Sequence, residues 1–220
     1  MKRLRVLVVV GVLALGTAGA GTAQASPVAA ASHCPAGEVF ATDNTAVITD
    51  PDDPRLSTRL IRFDREVRRI IGANGAVAGR STLLDGVFWS GDLKQTTYER
   101  SREFDVNEVG REGLHHIAGV IAKQYHQESV LTFRCLPHGS PEADAVEIRA
   151  SGVSAARLRE ALAADPRARE ELGGGSVTLG GQLILVAPVA DLPLARRLTT
   201  ALGVDWDKAE VRYGDEEFVS

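Results

Sequence analysis

From Glu38 onward, the apolar positions switch between a period of two and a period of about 3.6. "VFATDNTAVIT" has strand composition and runs into the turn residues of "DPDDPRL". Asp53 is placed to cap a helix with Pro54 at its first position, where the missing N–H costs nothing. Leu56, Leu60, Phe63, Val67, Ile70 and Ile71 follow at helical spacing, with arginines and Asp64 between them. "GANGAVAG" ends that helix. "STLLDGVFWS" reads as a second strand and "TTYERSREFDV" as a third. Asn107 is placed to cap a second helix with the stripe Val109, Leu114, Ile117 and Val120 or Ile121, and "SVLTFRCL" reads as a fourth strand.

After the polar linker "PHGSPEAD" the same order returns. "AVEIRA" alternates Val146, Ile148 and Ala150 against polar neighbours. Ser154 caps "AARLREALAA", and Asp165-Pro166 restarts a short helical piece. "SVTLGGQLILVAPV" is a hairpin whose Gly180-Gly181 pair suits a turn needing positive φ. Asp191 caps "LPLARRLTTALG", and "AEVRYGDEEFV" closes as a strand. The expected fold is α+β: two ferredoxin-like βαββαβ units in tandem, 38–137 and 145–220, with antiparallel sheets and helices on one face. Element order leaves open whether the halves share one sheet or form two.

The third strand breaks the usual pattern of one apolar and one polar face. Tyr98, Arg100, Arg102 and Phe104 share one face; Thr97, Glu99, Ser101, Glu103 and Asp105 share the other. In a ferredoxin-like sheet this strand is internal. If its arginines face out, Tyr98, Arg100 and Arg102, with Trp89 on the adjacent strand, form a platform for a carboxylate or phosphate. If they face in, each needs a carboxylate, because an unpaired buried charge is costly. A plain solvated strand with cross-strand ion pairs is the third reading.

The N-terminus changes the setting. "MKRLR", an apolar run broken by glycines, and "AQA" at Ala23 to Ala25 form the pattern of a secretory signal peptide over 1–25. No second apolar run is long enough to cross a bilayer, so the expectation is a secreted, extracellular chain with no membrane association after cleavage. In an oxidising compartment Cys34 and Cys135, the only two cysteines, are expected to pair. A net charge of −4 gives no reason to expect nucleic acid as a partner.

Other candidate chemistry is thin. Glu112 and His116 share a helix face at i,i+4, with Glu108 a turn earlier, and offer two ligands of a metal site without a third. His126 and Glu128, where the second helix meets the fourth strand, are the weak candidates for acid–base work. "GVSAARL" is not a nucleophile elbow, and "LGGGS" lacks the context of a nucleotide-binding loop. No cofactor is expected.

"HQESVLTF" resembles the closing helix–strand segment of a family of small secreted bacterial proteins of unknown function, which end in a similar "QESVL". The match covers Gln127 to Leu131 and, more loosely, the preceding helix and "DGVFW". The resemblance implies a ferredoxin-like first half; the second half has no counterpart there, and the family offers no activity to carry over. The high Arg, Ala, Gly and Val usage resembles that of exported actinobacterial proteins. The leading functional expectation is a non-enzymatic binding or interaction module for an unknown extracellular ligand or protein. The rivals are an extracellular enzyme using His126 and Glu128, and an extracellular protease inhibitor presenting "PHGSPEAD".

Overall fold

The structure is a computed structural model that describes residues 34–46, 48, 53–90, 95–97 and 100–220. The expected signal peptide, 1–25, lies outside the described residues, as does Tyr98. The first half contains β1 (Gly37–Ala41), α1 (Arg55–Ala73), β2 (Val77–Leu84), β3 (Phe88–Ser90), β4 (Gln95–Thr97), β5 (Ser101–Asn107), α2 (Arg111–Gln124) and β6 (Val130–Cys135). The second contains β7 (Ala145–Ser151), α3 (Ala155–Ala164), α4 (Pro166–Glu171), β8 (Gly174–Val177), β9 (Gln182–Pro188), α5 (Leu192–Ala201) and β10 (Glu210–Val219). Every strand pair is antiparallel, and the fold is mixed α+β.

One sheet carries both halves, in the order β2-β5-β1-β6-β10-β7-β9-β8-β3-β4. The halves join where β6 pairs with β10, Phe133 opposite Glu216. Far from that join, Leu84 at the end of β2 bridges Thr178 just past β8, and the Asp85 N–H donates to the Val177 carbonyl at 2.7 Å. The sheet therefore curls until its β2 edge meets the end of β8, and its two faces have different fates. The outer face takes the helices. Phe63, Val67, Phe104, Ile117 and Ile121 pack under α1 and α2, while Ile148, Leu158, Leu185 and Leu198 pack under the helices of the second half. The inner face is enclosed: Phe40, Leu131 and Phe133 meet Ala145, Ile184 and Val186.

Local chemistry explains most element ends. Pro54 is already helical at φ −60°, and Asp53 Oδ1 accepts the Arg55 N–H at 2.8 Å. Ser154 and Asp165 cap α3 and α4 through the Arg157 and Ala168 N–H groups. Two expected caps are not used. Asn107 stays in β5, and α2 begins only at Arg111 after Glu108 turns through φ 56°. Asp191 makes no cap bond to α5, since Val189–Asp191 is itself a turn of 3₁₀ helix.

"STLLDGVFWS" is two strands rather than one. Gly86, at φ 109°, breaks it, and a Cβ there would lie 2.3 Å from that of Ala155. The chain crosses at this point from the edge of the first half to the edge of the second. There β3 pairs with β8, Trp89 opposite Gly175. "TTYERSREFDV" likewise divides into β4 and β5.

Candidate functional site

Trp89, Arg100 and Arg102, the described members of the expected binding platform, do not share one open face. Trp89 is fully buried in the second-half core, because β3 delivers it beneath α4 rather than to the open face of β5. Arg102 lies on the helix side of β5. It is 14% exposed, donates to Ser81 Oγ at 2.9 Å and sits 3.6 Å from Asp64. Burial lowers its pKa, with Asp64 acting the other way. Phe104, on the same face, packs edge-on against Phe63. Among the described platform residues only Arg100 is exposed, and it pairs with Asp85 at 2.9 Å.

The opposite face of β5 is buried as well, so the reading of a plain solvated strand is wrong, and Arg102 follows the inward alternative with Asp64 of α1 as its carboxylate. Ser101, Glu103 and Asp105 point into the enclosed interior. There they join Glu38 of β1, Glu147 and Arg149 of β7, and Arg212 of β10, all buried. Arg149 donates to Glu147, Glu103 and Glu38. Arg212 donates to Glu147 and, at 2.6 Å, to Glu38. Burial works against the charge of Arg149, but Glu103 and Glu38 outweigh it and hold its pKa above the ordinary value. Burial pushes Glu38 up to about 7, against the pull of Arg149. Asp105 is raised by burial and by Glu103.

Glu38, Glu103 and Asp105 bring one oxygen each to within 4.8 Å of the others, a cluster of acidic groups unlike any other among the described residues. The Arg149 guanidinium already stands among them as the positive charge. Apart from Ser101 and Ser176, the rest of the interior is mostly apolar. Phe40, Leu84, Leu131, Ile184 and Val186 line a cavity of about 10 Å³, room for about one water molecule.

The histidine candidates are exposed and scattered. His126, at φ 53°, terminates α2 in left-handed backbone, where the Gln127 N–H returns to the Ala122 carbonyl at 3.0 Å. Glu128 is exposed beside it. Glu112 and His116 are exposed on α2 and belong to no three-ligand cluster among the described residues. Gln127 is structural, since its Oε1 accepts the Thr42 N–H at 2.9 Å and ties the end of β1 to the α2–β6 turn. Cys34 and Cys135 form the expected disulfide, with Cα atoms 6.1 Å apart.

An open groove not singled out from the sequence runs along the start of α1. It has a volume of about 510 Å³. Arg55, Arg59, Arg62 and Arg65 line it together with Ile48 and Ile61, the latter 58% exposed. Asp43 is the one carboxylate among the described lining residues, and it is engaged with the N–H and hydroxyl of Thr45. The signal was present in the spacing: arginines at 55, 59, 62, 65 and 69 return to one side of the helix while Leu60, Phe63 and Val67 take the other. Comparison of the chain with protein-family models, curated proteins and solved structures found no match.

Proposed function

We propose that this is an exported, non-enzymatic binding module whose ligand is anionic and docks on the arginine groove of α1. The groove carries the reading. Helix α1 has six arginines against Asp64 and Glu66, so it is strongly positive. The surrounding chain is acidic. Lys2, Arg3 and Arg5 lie in the segment expected to be removed, so the −4 of the whole chain becomes −7 from Ser26 onward. A positive groove on a negative body steers an anionic partner to one place. Guanidinium forks suit carboxylate or phosphate, and Ile48 and Ile61 add apolar contact. Export is supported by the leader pattern and the Cys34–Cys135 disulfide, which needs an oxidising compartment.

The same reading holds the halves to be tandem ferredoxin-like units. The orders β2-β5-β1-β6 and β8-β9-β7-β10 each have the pattern 2-3-1-4 when counted within their own half, once β3 and β4 are treated as an insertion.

The test is calorimetric titration with inorganic polyphosphate. The exported form should bind, and affinity should fall steeply with added salt. The Arg62→Glu/Arg65→Glu variant should lose at least ten-fold in affinity, roughly 1.4 kcal/mol, while melting as the parent does. Unchanged binding by that variant would contradict the assignment.

A further inference from the structure

The buried charges do not balance. Four carboxylates (Glu38, Glu103, Asp105, Glu147) meet two buried guanidiniums, Arg149 and Arg212. A third, Arg80 on β2, reaches Asp105 Oδ2 only at 3.6 Å from an exposed position. The hydrogen bonds show where the deficit falls. Glu38 Oε1 takes both arginines, while its Oε2 has no partner. Asp105 Oδ1 has none either. These side chains are 1% and 3% exposed, and they stand directly opposite each other across the β1–β5 ladder. One oxygen of each lies within 4.8 Å of the other and of Glu103, and carboxylates this close in a dry interior do not all ionise readily.

We infer that the interior holds one proton shared by Glu38 and Asp105, and that this proton acts as a pH-sensitive latch between the two halves of the chain. The proton supplies an O–H donor for one orphaned oxygen and an acceptor role for the other. It also removes one of the uncompensated charges.

The latch lies at the join. Glu38, Glu103 and Asp105 come from the first half; Glu147, Arg149 and Arg212 come from the second. The charged groups facing Glu38 are Glu103 and Asp105 of β5, Glu147 and Arg149 of β7, and Arg212 of β10, with Arg80 of β2 beyond Asp105. On β6 its neighbour is Phe133, which cannot offset charge. Loss of the proton leaves three mutually repelling carboxylates on the first-half side, relieved by Arg149 and Arg212 of the other half and, at Asp105, by the more distant Arg80 of β2. The strands that carry them, β1 and β5, should then open more readily. Because the two carboxyls interact, the titration belongs to the pair.

The experiment is isotope-edited infrared spectroscopy on the full exported chain with labelled carboxyl carbons, alongside amide hydrogen exchange. The range is about pH 6 to about pH 8, either side of the value near 7 at which burial sets Glu38. A neutral-carboxyl band should be present at the lower pH, in about nine-tenths of molecules one unit below the midpoint. It should fall to about one-tenth at the higher pH, one unit above the midpoint, and exchange in β1 and β5 should speed up over the same interval, beyond its intrinsic dependence on pH. Glu38→Gln keeps the shape, replaces O–H by N–H, and should remove both the band and the pH step. Absence of the band at the lower pH, read on the parent protein alone, overturns the inference even if the variant does not fold. So does a band that survives in both Glu38→Gln and Asp105→Asn. A magnesium, calcium or zinc ion that raises the melting temperature of the parent but not of Glu38→Gln would assign the site to a cation instead.

Discussion

Arg149 reaches three carboxylates from two halves of the chain, Glu147 beside it and Glu38 and Glu103 across the interior. Removing it strands those charges in a place water does not enter. Arg149→Met should therefore cost about 3–5 kcal/mol in denaturant melts. Arg100→Ala, whose ion pair with Asp85 is about half exposed on both sides, should cost at most about 1 kcal/mol. Two arginines that look alike in sequence are thus separated by several-fold in effect. An equal loss at both would contradict the placement of Arg149. The alternation of β5 was legible residue by residue, and so was the need of any inward arginine for a carboxylate. What was not legible is that the acidic face of β5 is the enclosed one. Its partners are remote in sequence: Arg149 lies 46 residues from Glu103, and Arg212 lies 174 from Glu38. Charged pairs at i,i+2 in otherwise apolar strands, Glu147 with Arg149 and Glu103 with Asp105, were the available signal.

At the scale of elements, the strand-and-helix order read from periodicity matches the structure except where the chain changes partner, although β1 stops at Ala41 and residues 42–46 of the expected first strand lie outside the sheet. Gly86 and the β3–β4 hairpin mark that exception. Periodicity reports which face of a strand is apolar, not which sheet edge the strand will join, so "DGVFWS" gave no sign that Trp89 crosses into the other half. Its acceptance there depends on a glycine. A Cβ at Gly175 would lie 2.5 Å from the Trp89 ring and 3.0 Å from the Ile184 carbonyl oxygen, and neither can yield within a filled core. Gly175→Ala should cost about 1–3 kcal/mol through overpacking. It should also shift the emission of Trp89, which is fully buried, while leaving the partly buried Trp206 as an internal reference. No change in either signal would show that β3 does not dock on β8 as described. The unused caps have a simple cause: Asn107 is held in the β5 ladder opposite Val77, so its side chain does not begin α2.

For the whole molecule, two long-range devices hold the fold closed. The disulfide links Cys34, just before β1, to the end of β6 across 101 residues. Reduction should lower the unfolding free energy by up to about 4.7 kcal/mol, the chain-entropy limit for such a loop, read as a shift in urea midpoint. The other device is the charged interior that the two halves share. Whether the halves form one sheet or two was not legible in element order, because the joining contacts, β6 with β10 and Leu84 with Thr178, arise only when both halves are folded. A common interior predicts that the halves unfold together and that their stability responds to the same proton. Glu38 sits near 7 in the folded state against its ordinary 4.5, so the folded protein binds the proton more tightly than the unfolded chain does. Its contribution is full below about pH 4.5, is lost as pH rises through about 7, and is flat above that. The shift corresponds to about 3 kcal/mol. The most direct measurement is urea unfolding across that window, followed at once by Trp89 emission in the second half and by amide exchange of β1 and β5 in the first. The account predicts one coincident transition whose Glu38-dependent part, parent minus Glu38→Gln, falls by about 3 kcal/mol between about pH 4.5 and about pH 8. Separate transitions for the two halves, or a difference that stays level or grows as pH rises, would contradict it.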